Sequence, residues 1–100
     1  MVDQKFRAAL NAYATENEVE IKILDDHAYD KSVVGITEDN RLVYDREKMV
    51  QEFMEDEGCD ELEANEWLDY NTMRALPYFG EDAPIVISIN TKELLERYGD

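Results

Sequence analysis

Cysteine is nearly absent from this chain of 100 residues, with Cys59 alone. A lone thiol excludes an internal disulfide and fits a reducing cytoplasm. Histidine is equally scarce, so His27 and Cys59 form the one thiol and imidazole pair open to nucleophilic chemistry. That chemistry needs nucleophile, base and orienting group brought together by the fold, and Cys59 reads more simply as a plug between two acidic helices. The four glycines, at positions 35, 58, 80 and 99, are scattered, which leaves no glycine-rich phosphate loop. No apolar run approaches the roughly 20 residues of a membrane span. The opening stretch, MVDQKFRAALNAYATENE, has no apolar centre of the signal-peptide kind. Cytoplasmic residence is the resulting expectation.

Positive charge is the most conspicuous shortage. Ten Lys and Arg face 25 Asp and Glu, for a net charge of −15, well beyond the magnitude of about 2 to 8 usual for a small soluble domain. DNA, RNA and anionic membranes are bound through Lys and Arg patches, so direct contact with any of them is not expected. Self-repulsion on this scale opposes compaction. It is either tolerated for solubility, as in a salt-adapted cell, or maintained because a basic partner needs it. The chain nonetheless carries 24 Leu, Ile, Val and Phe, above the limit of about 20% below which chains stay disordered. A single folded domain over residues 1–100 is expected, with a core that needs no metal or disulfide.

What is present is periodicity. Asp3 to Asn17 spaces Phe6, Ala9, Leu10 and Tyr13 along one helical face. Val19 to Leu24 alternates apolar and charged residues and predicts a half-buried strand. Ser32–Thr37 and Arg41–Tyr44 predict a hairpin, with Glu38, Asp39 and Asn40 supplying the turn. Asp45 is placed to cap a helix carrying Met49, Val50, Phe53 and Met54 on one face, closed by Gly58. Asp60 and Glu63 form a capping box for a second helix that should stop near Leu76, before Pro77. Ile85–Ile89 is the most apolar strand and is expected inside the sheet. Asn90 and Glu93 repeat the capping spacing before a closing helix with Leu94, Leu95 and Tyr98. The order α-β-β-β-α-α-β-α predicts an α+β fold, a four-stranded mixed or antiparallel sheet with helices packed mainly on one face.

Within the second acidic helix, Ala64, Trp67, Leu68, Asn71 and Ala75 share one face, while Leu62, Glu66, Asp69, Tyr70 and Met73 share the other. Such a helix is either sandwiched between layers of its own fold or presents a mixed acidic and apolar face to a partner. The habit of apolar stripes to be core favours the sandwich. Asn71, among apolar neighbours, is expected to anchor the Tyr78–Asp82 loop or a strand, and Arg74 to pair with a carboxylate of its own chain.

Asp25, Asp26, His27 and Asp30 offer oxygen and imidazole ligands to a divalent cation, although Asp-rich connections between elements are commonly plain turns. Between Met49 and Met73 stand nine carboxylates and no Lys or Arg. Duplex DNA carries one negative charge about every 1.7 Å of axis. Carboxylates on successive helical turns, about 5.4 Å apart, present a comparable field to a groove lined by Lys and Arg.

The segment YNTMRALPY (Tyr70–Tyr78), preceded by FMEDEGCDELEANEWL and followed by FGEDAPIVI, resembles a group of small, mostly uncharacterised acidic proteins of bacteriophages and mobile elements. The likeness runs over about residues 20–87, including DDHAYD and RLVYD. The group has no shared activity and assigns no catalytic residues, but bacteriophages and mobile elements carry small acidic proteins that inhibit host defence nucleoproteins, anti-CRISPR proteins among them, and the resemblance together with the carboxylate run points to that kind. The expected function is therefore a non-enzymatic inhibitor, without cofactor or metal, of a basic nucleic-acid-handling host complex. Glu52, Glu55, Asp56, Glu63, Glu66 and Asp69 would carry the charge, and Tyr70 and Met73 the apolar contacts. The competing expectations are a small metal-binding domain or enzyme built on the Asp25–Asp30 loop, and a homo-oligomeric structural module.

Overall fold

Asp3 accepts a hydrogen bond from the Phe6 backbone N–H at 3.1 Å and so opens α1, Gln4–Glu16, in the computed structural model, which describes residues 1–99. Phe6 and Leu10 turn toward the core, as the spacing predicts, whereas Ala9 and Tyr13 face water. Glu18 then takes a left-handed conformation (φ 55°), which lets the Val19 N–H reach back to the Ala14 carbonyl at 3.0 Å and turns the chain sharply.

The segment after this turn corrects the expected strand. Val19–Leu24 has no ladder partner and no regular secondary structure. Its alternation holds for Ile21 and Ile23, which pack on the core, and breaks at Leu24, which follows Ile23 and is fully buried as well. The Leu24 N–H, however, donates to the Tyr44 hydroxyl at 3.1 Å instead of to a neighbouring strand. Alternation reports which side chains are buried; a strand also needs a partner backbone, which periodicity does not supply.

The sheet accordingly has three strands, not four: β1 (Val33–Ile36), β2 (Leu42–Asp45) and β3 (Ile85–Ile87), in that order. The α+β class stands. β1 and β2 form the expected antiparallel hairpin, with a bulge between Val33 and Gly35. Asn40 (φ 63°) provides its left-handed turn residue. β3 runs parallel to β2, with Val43 opposite Ile85 and Asp45 opposite Ile87. It is an edge strand whose three residues are only half-buried, so the interior position expected for Ile85–Ile89 falls to β2. A parallel pair requires a long crossover, and here the crossover carries the acidic helices.

α2 spans Arg46–Glu57 and begins directly from β2. Asp45, wholly buried, accepts from the Glu47 N–H at 2.9 Å with one carboxylate oxygen and from the Asn90 amide at 2.6 Å with the other. Asn90 in turn caps α4, Thr91–Tyr98, through the Glu93 N–H at 2.8 Å. One carboxylate thus fixes the starts of two helices. α2 ends at Gly58 in the left-handed region (φ 66°), and α3, Glu61–Trp67, starts from Asp60, which accepts from the Glu63 N–H at 2.9 Å.

Beyond Trp67 the helix does not continue as α. Leu68–Met73 forms a π turn, and Leu76–Phe79 a short 3-10 turn that accommodates Pro77 near its start. The wider π turn changes the face. Ala64, Leu68 and Thr72 become fully buried, and Asn71 is exposed. The core gathers Leu24, Tyr29, Leu42, Tyr44, Met49, Val50, Phe53, Ala64 and Leu68. α4 remains at its margin, with Leu94, Leu95 and Tyr98 each about half or more exposed, so not every apolar stripe is buried as expected.

A candidate partner-binding face on the acidic helices

α2 buries one side, through Met49, Val50 and Phe53, and this decides which of its acids reach solvent. Glu52 lies on the inner side, only 5% exposed. Its Oε1 accepts from the Ser32 hydroxyl at 2.9 Å, and its Oε2 from the Met1 ammonium at 2.8 Å. Asp56 is also engaged within the chain. Its Oδ2 lies 3.0 Å from His27 Nε2 and 2.8 Å from the Met1 nitrogen. Partial burial opposes ionisation of Asp56, but these two donors outweigh it and hold its carboxyl below the ordinary range.

Glu55, Glu63 and Glu66 stand exposed. Asp69 is exposed too but shared, 2.8 Å from Arg46 Nη1. Tyr70 is 68% exposed and Leu62 69%, while Met73 is half-buried. The α3 and π-turn segment is therefore covered on one side only, and the sandwiched arrangement is not found. Of the eight residues expected to meet a partner, the structure leaves Glu55, Glu63, Glu66, Asp69 and Tyr70 on the surface. Met73 is partly available. Glu52 and Asp56 are drawn inward by partners 20 or more residues away.

Asn71 and Arg74 of YNTMRALPY behave differently from expectation. The Asn71 amide donates to the Trp67 carbonyl at 2.9 Å within its own helix and anchors no loop. The 3-10 turn and the chain after it are held from outside the motif: Lys22 donates to the Phe79 carbonyl and pairs with Asp82 at 2.6 Å, and Arg41 donates to the Ala83 carbonyl at 2.7 Å. Arg74 makes no carboxylate pair among the described residues; its guanidinium lies over the Tyr70 ring, 5.4 Å from the centroid. Thr72 takes the buried polar role that the sequence pattern assigned to Asn71. Its hydroxyl donates to Asp26 at 2.7 Å and lies 3.4 Å from the Tyr29 hydroxyl. Burial raises the Tyr29 phenol above its ordinary range and pushes that of Tyr44 up to about 12, so both stay protonated.

The Asp25–Asp30 loop disperses its acids. Asp26 serves Thr72, His27 serves Asp56, and Asp30 receives Arg7 at 2.7 and 2.9 Å. No group of three or more His, Cys, Asp or Glu among the described residues is placed to hold a metal ion. His27 packs against aromatic rings, with centroids 4.9 Å from both Tyr29 and Phe53 and 6.0 Å from Trp67. Phe53 and Trp67 lie 4.8 Å apart. His27, Phe53 and Trp67 line a cavity of about 410 Å³ with Asp26, Glu57, Cys59 and Glu63. Partial burial and the carboxylates of Glu63, Asp60 and Glu57 push the Cys59 thiol up, the opposite of what a nucleophile needs. The sequence pattern points to neither Glu57 nor Trp67 as part of a site, since helical spacing puts Trp67 on the core face; the only local signal was the density of acids.

Compared with known proteins, the chain matches no family model, no curated protein and no solved structure at a significant level. No described helix is long and apolar enough to cross a membrane.

Proposed function

We propose that the chain is a non-enzymatic binding protein that occupies a basic, nucleic-acid-handling surface of a host defence complex, in the manner of an anti-CRISPR inhibitor, in the host cytoplasm. The observation that carries this reading is the outer side of α2 and α3. Glu55, Glu63 and Glu66 are exposed there and enter no ion pair of the described residues, beside the exposed Leu62 and Tyr70. Unpaired carboxylates keep their full field for a Lys and Arg lined groove, and apolar side chains among them add contact area that bulk charge lacks. The π turn supports it, because such turns are rare and frequent at functional sites. Asp69 contributes less, since it is paired with Arg46 Nη1 at 2.8 Å.

The test is protection of phage in cells carrying a CRISPR system, together with capture of the targeted complex at low and high salt. Reversing Glu55, Glu63 and Glu66 to Lys should abolish protection and salt-sensitive capture while the melting temperature holds. Full protection by that folded triple variant would rule the reading out.

A further inference from the structure

We propose that the cavity between α2, α3 and the Asp25–Asp30 loop receives one organic cation, the guanidinium of an arginine side chain belonging to the partner. The inference rests on the reading above for the partner, but the cavity's own chemistry points to the group. Its volume, about 410 Å³, lies in the range of small-ligand pockets, about 300 to 1,000 Å³. Phe53 and Trp67 give it aromatic surface, their rings packed on each other with centroids 4.8 Å apart and planes 30° apart, and His27 lines it beside them. Asp26, Glu57, Cys59 and Glu63 complete the lining, with no Lys or Arg among the cavity's residues.

Carboxylates by themselves would attract any cation, a hydrated metal included. Aromatic faces add selectivity, because a ring quadrupole holds a weakly hydrated organic cation at short range and gains little from a strongly hydrated ion. Guanidinium suits the lining better than ammonium: it is planar, stacks on rings and meets carboxylates through paired donors. Three carboxylates, Asp26, Glu57 and Glu63, line this one cavity, and partial burial, together with Glu63, Asp60 and Glu57, pushes the Cys59 thiol up. Glu63 belongs both to the cavity and to the exposed acidic face, so a side chain from a partner lying on that face has a direct way in.

Trp67 is the only tryptophan, and its fluorescence reports on the cavity without a label. Titration with N-acetyl-arginine amide should saturate, with affinity about tenfold above that of N-acetyl-citrulline amide, the neutral isostere, as a desolvated cation–π contact and its carboxylates imply. Glu57→Gln combined with Glu63→Gln should remove that advantage, and Glu63→Gln alone should reduce it; Glu63 is exposed and Glu57 about half so, and melting curves check that the fold is kept. An unsaturable response, equal binding of citrulline amide, or unaltered binding by the folded double variant overturns the proposal. Tighter binding of spermidine than of arginine amide overturns the assignment to a protein side chain. These probes contain no partner. Failure of the arginine titration therefore leaves the acidic-face reading standing, whereas saturation by arginine amide alongside full protection by folded Glu55→Lys combined with Glu66→Lys, two residues outside the cavity's lining, removes that reading and keeps the pocket.

Discussion

Asp30 illustrates how one residue's role is set by a partner far along the chain. Its side chain is wholly withdrawn from water and accepts from Arg7 Nε and Nη2 at 2.7 and 2.9 Å and from the Asp3 N–H at 2.8 Å. Burial opposes ionisation, but those three donors outweigh it and hold the carboxyl below its ordinary range. A folded-state value that is depressed stabilises the fold above the unfolded value, and the contribution is lost as pH falls through the folded one. Asp30→Asn should cost about 2 kcal/mol at neutral pH, the scale of a hydrogen bond to a charged group. In a domain of this size that is a fall of roughly 10 °C in Tm. The gap between the two proteins should close as pH drops below about 4, the ordinary aspartate range. Calorimetric melts across pH 2 to 7, roughly the window set by that range, decide the matter; a variant as stable as the parent at neutral pH would show the pair to be worthless. Nothing near Asp30 in sequence announces Arg7, which is why the same residue reads there as a turn former first and as a metal ligand second.

Among the elements, the helix from Glu61 onward shows where periodicity stops being informative. The capping box at Asp60 and the left-handed Gly58 were legible, because each depends on residues within four positions. The π turn was not. An α-helical period carried through Leu68 sends Asn71 inward, whereas the wider turn sends Thr72 inward and satisfies its hydroxyl between Asp26 and Tyr29. Thr72→Val keeps the shape but leaves both partners without that hydroxyl, and should cost about 1 to 3 kcal/mol. Asn71→Ala, at an exposed site bonded only within its helix, should stay within about 0.5 kcal/mol. Urea unfolding of the two variants side by side is the check. The reverse ranking would mean that the turn is α-helical and that Asn71 is the buried residue.

At the scale of the whole molecule, the charge of −15 works against the fold that carries it. Raising salt from about 10 mM to about 1 M shortens the screening length from about 30 Å to about 3 Å. Repulsion among exposed acids such as Glu55, Glu63 and Glu66 should fall accordingly, while the buried Arg7–Asp30 pair is little screened. Tm should then rise by about 5 °C or more, equivalent to about 1 kcal/mol here. A Tm that is flat or falls with salt would show that the acids are already neutralised within the fold. Helix caps, the hairpin and the excess of acid were determined by the sequence itself, because spacing, capping chemistry and composition are properties of neighbouring residues or of the chain as a sum. Tertiary structure alone decided that Val19–Leu24 has no strand partner, that β3 is an edge, that the helix widens at Leu68, and that Glu52 and Asp56 turn inward while Glu55 and Glu63 face water. Each of those outcomes depends on a pairing across 20 or more residues, Leu24 with Tyr44, Ser32 with Glu52, His27 with Asp56, and local periodicity carries no information about which distant group will arrive to satisfy a buried donor or charge.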